Sequence, residues 1–158
     1  MHILFNMFSL YVVGSVLERL ISRWAYLVIY FISGIVGGLF FIFFNPVGNA
    51  VGASGAIFGI FGALAGFAYV HRKTHPRVFL SFVQQFGIIL LLNFVLGVVM
   101  ENIAMSAHVG GLLSGMLLGG VIARYPHRLS LITLVSVVGL VMGYGYLMQT
   151  IRYVLIPS

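Results

Sequence analysis

Six apolar stretches run along the chain, at about 3–20, 24–44, 53–70, 78–99, 104–123 and 129–150, separated by short polar breaks. The breaks are Glu18-Arg19 to Arg23, then Asn45-Pro46-Val47-Gly48-Asn49, then His71 to Arg77, then Glu101-Asn102, and last Arg124 to Arg128. Each stretch approaches the roughly 20 apolar residues that a helix needs to cross a bilayer. An α-helix satisfies all of its own backbone polar groups, so an open chain in lipid must be helical. The pattern therefore predicts an all-α, polytopic membrane bundle of about six transmembrane helices. It forms a single domain over residues 1–158 and leaves no length for a second one.

Composition agrees with the pattern. Apolar residues make up 61% of the 158 and charged residues 6%, and the mean hydropathy is +1.16. Soluble domains carry about a quarter charged residues, so a water-soluble globule is excluded. With no cysteine, neither a disulfide framework nor a thiolate metal site is available. The first stretch has no basic segment ahead of it and contains His2 and Asn6, which argues against a cleavable signal peptide.

Charge then orients the bundle. Seven of the eight Lys and Arg residues fall in the first, third and fifth breaks, and only Arg152 lies elsewhere. Positive charge in alternate loops marks the cytoplasmic side, so both termini are expected on the other side. The net charge of +6 thus reports topology; it forms no basic stripe or helix face of the kind that binds nucleic acid. Because Met1 lies directly before an apolar stretch, an earlier helix and loop are expected upstream of it.

Glycine, at 20 residues, is spaced for helix contact. Gly55, Gly59, Gly62 and Gly66 in the third stretch, and Gly111, Gly115 and Gly119 in the fifth, form small-xxx-small repeats. Such repeats let two helix backbones approach closely, so these two helices are expected to be neighbours. Gly34 and Gly38 are expected to serve the second stretch in the same way, and Gly139 and Gly143 the sixth.

Polar groups inside spans are costly and mark function. Counting to the nearest basic loop at 1.5 Å per residue puts Ser54 about 27 Å from Arg72, His108 about 24 Å from Arg124 and His2 about 25 Å from Arg19. In a hydrocarbon core about 30 Å thick, all three lie just beneath the outer surface on different helices. A serine hydroxyl needs a base to take its proton, and His108 at matched depth is the candidate partner of Ser54. Ser54 sits at a loop-to-helix transition within Gly52-Ala53-Ser54-Gly55, where free backbone N–H groups can stabilise an oxyanion. His2 and Asn6, four residues apart, share a helix face. No Asp occurs anywhere, and the two carboxylates, Glu18 and Glu101, lie in breaks. A Ser-His-Asp triad is therefore impossible, and a dyad remains. His71, His75 and His127 lie among basic residues with no carboxylate and read as solvated loop residues, since a metal needs three or four ligands. No metal or other cofactor is expected.

Taken together, these segments resemble the rhomboid family of intramembrane serine proteases over nearly the whole chain. His2-Ile3-Leu4-Phe5-Asn6 is similar to the family's H-x-x-x-N segment, and Gly52-Ala53-Ser54-Gly55 to its G-x-S-G nucleophile motif. Ala107-His108-Val109-Gly110-Gly111, followed by Gly115, is similar to its A-H-x-G-G-x-x-x-G segment. The three occur in family order at compatible spacing, which is far more specific than any one alone. Glu18 matches a family glutamate at the inner end of the H-x-x-x-N helix.

The resemblance implies a Ser54–His108 dyad, with an oxyanion hole formed by the Ser54 N–H and the side chains of His2 and Asn6. Phe58 occupies the position of a family aromatic that packs on the catalytic histidine. It further implies cleavage of transmembrane protein substrates near the outer membrane face, in the cell membrane. The stretch at 78–99 corresponds to the helix discussed as a lateral gate, and 129–150 to an extra C-terminal helix. The family's first helix and first outer loop have no counterpart in the 158 residues. A non-catalytic rhomboid-like membrane binder is the alternative function. A channel would expect polar groups at several depths, whereas here only Gln84, Gln85 and Asn93 lie deeper.

Overall fold

The computed structural model describes residues 2–46, 52–99 and 104–155; the side chains of residues 2, 92–99 and 153–155 lie outside that description. Val47, Gly48, Asn49, Glu101 and Asn102, and the side chains of His2 and Asn93, are thus among the positions not described. Among the described residues six α-helices follow one another: α1 (His2–Glu18), α2 (Arg23–Phe44), α3 (Ser54–His71), α4 (Pro76–Val99), α5 (Met105–Arg124) and α6 (Leu129–Leu155). A single 3-10 turn, Pro126–Arg128, joins the last two.

The helices begin and end where local chemistry directs. Ser22 caps α2, its hydroxyl accepting from the Ala25 N–H at 3.3 Å, which satisfies one of the free donors of a helix start. Between α3 and α4, the N–H of His75 donates to the His71 carbonyl at 2.8 Å. The Thr74 hydroxyl donates to the same oxygen at 3.0 Å, and Pro76 then opens α4, where a missing N–H costs nothing. Two boundaries differ from the sequence reading. The last helix continues to Leu155, and His71 belongs to the final turn of α3 rather than to a loop. It is half-buried, stacked on Phe67 at 4.5 Å, with Nδ1 2.9 Å from the Phe67 carbonyl oxygen.

Helix α3 is the axle of the bundle, packed by α1, α2, α4 and α5, while α6 rests on α2 and α5. The closest seam is α3 against α5, which run parallel. A Cβ on Gly115 would strike the Gly59 carbonyl, one on Gly111 that of Gly55, and one on Gly119 that of Ala63. Backbone-to-backbone approach of this kind is what glycine permits in a membrane helix pair. Below the seam's outer end, Leu17, Ile29, Ile60, Ala63, Leu64 and Ile122 form a core that is almost completely inaccessible.

The expectation for the other glycines holds only in part. Gly34 packs on Ala56, but Gly38, Gly139 and Gly143 face open space. Three stretches, Arg23–Phe44, Met105–Arg124 and Pro126–Arg152, are long and apolar enough to cross a membrane, and the remaining helices are apolar over Ile3–Glu18, Ser54–Val70 and Pro76–Leu91. Their outward faces carry large exposed hydrophobic side chains such as Phe31, Leu117 and Val141, which is the surface that lipid solvates. The molecule is a helical integral membrane bundle.

Candidate active site

The site sits at the end of the α3–α5 seam opposite the basic loops. Gly52 has φ 147°, a conformation that residues with a Cβ rarely adopt, and it turns the chain so that α3 can start at Ser54. Ile57 is the first residue of α3 whose N–H reaches back, to Ala53 O at 3.0 Å. The N–H groups of Ser54, Gly55 and Ala56, in the first turn of α3, therefore have no intrahelical partner.

His108 stands on the first turn of α5, where its N–H donates to Ala104 O at 3.2 Å. Its side chain is 8% exposed, and Nε2 lies 2.9 Å from Ser54 Oγ. With the imidazole neutral and Nε2 unprotonated, the Ser54 hydroxyl donates this bond. Phe58, one turn along α3 from Ser54, lies flat on the imidazole: the centroids are 4.2 Å apart and the planes 6° from parallel. The ring is thus held between the phenyl face and the serine, which fixes its plane as well as its distance.

Backbone contacts set the height of this pair. On the α3 side, a Cβ on Gly111 would strike the Gly55 carbonyl, while one on Gly55 would make ordinary contact with the Ala107 carbonyl oxygen at 3.4 Å. On the opposite side, a Cβ on Gly37 of α2 would lie 2.7 Å from the same oxygen, and Phe40 of α2 packs against Gly110. The turn that carries His108 is thus packed between α2 and α3.

The other sequence-predicted residues fare unequally. Gly52 opens the turn before α3, Gly55 and Gly111 meet across the α3–α5 seam, and Phe58 stacks on His108. Asn6 is half-buried on α1, and among the described residues it makes no hydrogen bond with Ser54 or His108. The side chain of His2 lies outside the described residues. Gln84 and Gln85 are exposed on α4. His75 and His127 are exposed, and no group of three or more metal-ligating side chains occurs among the described residues.

Two features escaped the sequence reading. Asn45, at the C-terminal cap of α2, donates from Nδ2 to the Ser106 hydroxyl at 3.2 Å. Ser33 of α2 is completely buried, pressed against Gly59. Asn45 next to Pro46 carries only a turn signal, and nothing in Met105-Ser106-Ala107 separates Ser106 from any other membrane serine.

Comparison with known proteins gives these positions a common setting. A family model described as the Rhomboid domain matches residues 1–125. The chain is 38% identical over 114 residues to the rhomboid protease GluP of Bacillus subtilis, covering 72% of this chain and 22% of that protein. It is 35% identical over 125 residues to RHOMBOID-like protein 1 of Arabidopsis thaliana, covering 79% and 32% respectively. To Rhomboid-like protease 5 of Toxoplasma gondii it is 32% identical over 111 residues, covering 69% and 12%. The chain thus spans a third or less of the length of these three relatives. No solved structure is a significant match. The matched stretch contains Gly52, Ser54, Phe58 and His108 and ends at Tyr125, just after α5. Both helices of the seam that brings serine to histidine thus lie within the matched stretch, and the chain belongs to the rhomboid family.

Proposed function

We propose that the chain acts as an intramembrane serine endopeptidase that cleaves transmembrane protein substrates near the outer membrane face through a Ser54–His108 dyad. The observation that carries this reading is the 2.9 Å approach of His108 Nε2 to Ser54 Oγ, made between two helices in a chain without Asp. The names of two relatives, rhomboid protease GluP and Rhomboid-like protease 5, support the same reaction class.

The geometry supports the following chemistry. As Ser54 Oγ attacks the scissile carbonyl carbon, its proton passes to His108 Nε2 and the carbonyl π pair moves onto oxygen. The resulting oxyanion is met by the Ser54 N–H at the start of α3, with Asn6 and His2 of α1 as the side-chain donors in this reading. Preorganised donors of this kind are typically the largest single contribution to acyl transfer. Collapse of the intermediate breaks the C–N bond, and His108 returns its proton to the departing amine. Water then attacks the acyl-Ser54 ester, His108 again acting as base, and both fragments leave. Phe58 keeps the imidazole plane fixed through both proton transfers.

A helical substrate hides its carbonyls in hydrogen bonds, so it must unwind locally before attack; helix-breaking or small residues near the cut favour this. The alternation of basic loops supports insertion in the cell membrane with the dyad outward.

The test is cleavage of a fluorescent transmembrane substrate in liposomes, together with labelling by a fluorophosphonate probe. Ser54→Ala is expected to abolish both, a loss of at least about 10³-fold given the cost of removing a nucleophile. Residual cleavage by Ser54→Ala, or a folded wild-type protein that neither labels nor cleaves, refutes the assignment.

A further inference from the structure

We infer that Asn45 and Ser106 form a clasp that positions His108 for its proton transfer with Ser54. The inference rests on the peptidase reading for its consequence and on independent geometry for its existence.

The start of α5 is weakly built. Its N-cap residue, Ala104, offers no side-chain hydrogen bond, although capping by Ser, Thr, Asp or Asn is the usual way to hold a helix start. The bond that closes this turn, from His108 N–H to Ala104 O, is 3.2 Å. Among the described residues, the turn that carries the base of the reaction thus has no side-chain cap from its own helix start.

Contacts from α2 supply what is missing. Gly37 and Phe40 hold the turn by packing against Ala107 and Gly110, but packing resists compression and does not fix rotation. A directional bond does. Asn45 Nδ2 donates to Ser106 Oγ at 3.2 Å, and Asn45 is itself anchored, its backbone N–H donating to Phe41 O at 2.8 Å. Among the described residues, only this pair and Ser54–His108 join two helices through side-chain hydrogen bonds.

The two bonds are complementary in direction. Ser106 and His108 are two residues apart, so they point about 200° away from each other around the helix axis. His108 reaches toward α3 while Ser106 is held by α2. The turn is thus tethered on both flanks, and releasing one flank lets the imidazole rotate away from the serine.

The experiment compares wild type, Asn45→Ala, Ser106→Ala, the double variant and Ser106→Thr in liposomes. Each single variant is expected to lower kcat and the fluorophosphonate labelling rate about three- to tenfold, the scale of one exposed hydrogen bond, with KM within about twofold. The double variant should be no slower than either single one, since both remove the same bond, and Ser106→Thr, which keeps a hydroxyl, should recover most of the rate. Hydrogen exchange gives a readout free of activity: protection at residues 106–111 should fall in Asn45→Ala while residues 57–66 are unchanged. Additive losses in the double variant, a change in KM alone, or unchanged exchange at 106–111 overturns the clasp. A wild-type protein that neither labels nor cleaves, but whose exchange responds as described, overturns the peptidase reading and leaves a structural tie without a catalytic role.

Discussion

The glycines of the α3–α5 seam and those of α6 look alike in sequence and do opposite things. A Cβ on Gly115 would strike the Gly59 carbonyl, one on Gly59 would strike Ser33 of α2, and Gly62 and Gly66 abut the backbone of Leu112 and Met116. Gly139, Gly143 and Gly145 of α6 meet nothing. Two of these three, Gly139 and Gly143, instead line an apolar groove of about 470 Å³ walled by Val36, Phe40 and Leu117. A small-xxx-small repeat records that a helix can be approached closely; only a partner with its own gap makes the approach happen. The consequence for the site is direct. Ser54 and His108 arrive on different helices, so their separation is set by helix-to-helix distance, and a reacting pair must be held within about 0.5 Å. Backbone contact provides that tolerance, while the loosely packed α6 lies outside it.

The largest test places one leucine on each side of this contrast. Gly115→Leu should prevent the seam from forming: overpacking usually costs about 1–3 kcal/mol, and here the clash is with backbone, which cannot rotate away. The expected outcome is loss of the monodisperse folded species in detergent and of Ser54 labelling. Gly143→Leu should shift stability by no more than about 0.5 kcal/mol, because its added atoms enter open groove. Thermal unfolding followed by protease resistance compares the two. Equal sensitivity would mean that α6 packs more closely in the membrane than its open glycines indicate.

Aromatic pairs allow a gentler version of the same comparison. Phe58 lies 4.2 Å from the His108 ring, whereas Phe82 stacks on Phe86 at 4.7 Å within α4, a pair that connects to Phe58 through Phe61. Phe58→Ala removes a contact that aromatic pairing makes worth about 0.5–1.5 kcal/mol beyond area, so the Ser54 labelling rate should fall about tenfold. Phe82→Ala removes a similar contact and should lower thermal stability while leaving the labelling rate near that of wild type. If Phe82→Ala slows labelling as much as Phe58→Ala, ring orientation depends on the whole bundle rather than on the seam.

The same contrast explains what the sequence could reveal. Helix positions were legible because apolar runs in lipid admit one secondary structure, and the approach of Ser54 to His108 was legible because both are polar at one depth. Gly52 was legible as part of a motif, and its φ supplies the physical reason. Partnering was not legible. Gly38 and Gly143 carry the same local pattern as Gly59, and only three-dimensional neighbours separate them. His71 reads as a loop residue because charged neighbours follow it, yet stacking on Phe67 draws it into the last turn of α3. The Asn45–Ser106 bond joins residues 61 positions apart, and neither carries a charge or spacing that points to the other.

Serine offers the smallest and sharpest distinction between the two regions. On the groove side, Ser114 donates to Gly110 O at 2.8 Å and Ser136 to Ile132 O at 2.7 Å, the usual recourse of a membrane serine toward its own helix. Ser33, in the tight region, is 0% exposed, and its hydroxyl finds no partner among the described residues. It fits against Gly59, so close packing has prevailed over hydrogen bonding there. An unpaired buried hydroxyl costs about 1–3 kcal/mol, and removing one oxygen leaves only a small gap. Ser33→Ala should therefore be neutral to stabilising by up to about 1 kcal/mol, raising the unfolding midpoint by a few degrees. Ser33→Val fills the same space with an extra methyl and should destabilise by about 1–3 kcal/mol. Ser136→Ala should change stability by less than about 0.5 kcal/mol. Destabilisation by Ser33→Ala would show that its hydroxyl is bonded in the membrane, and that the seam is held by polar contacts as well as by shape.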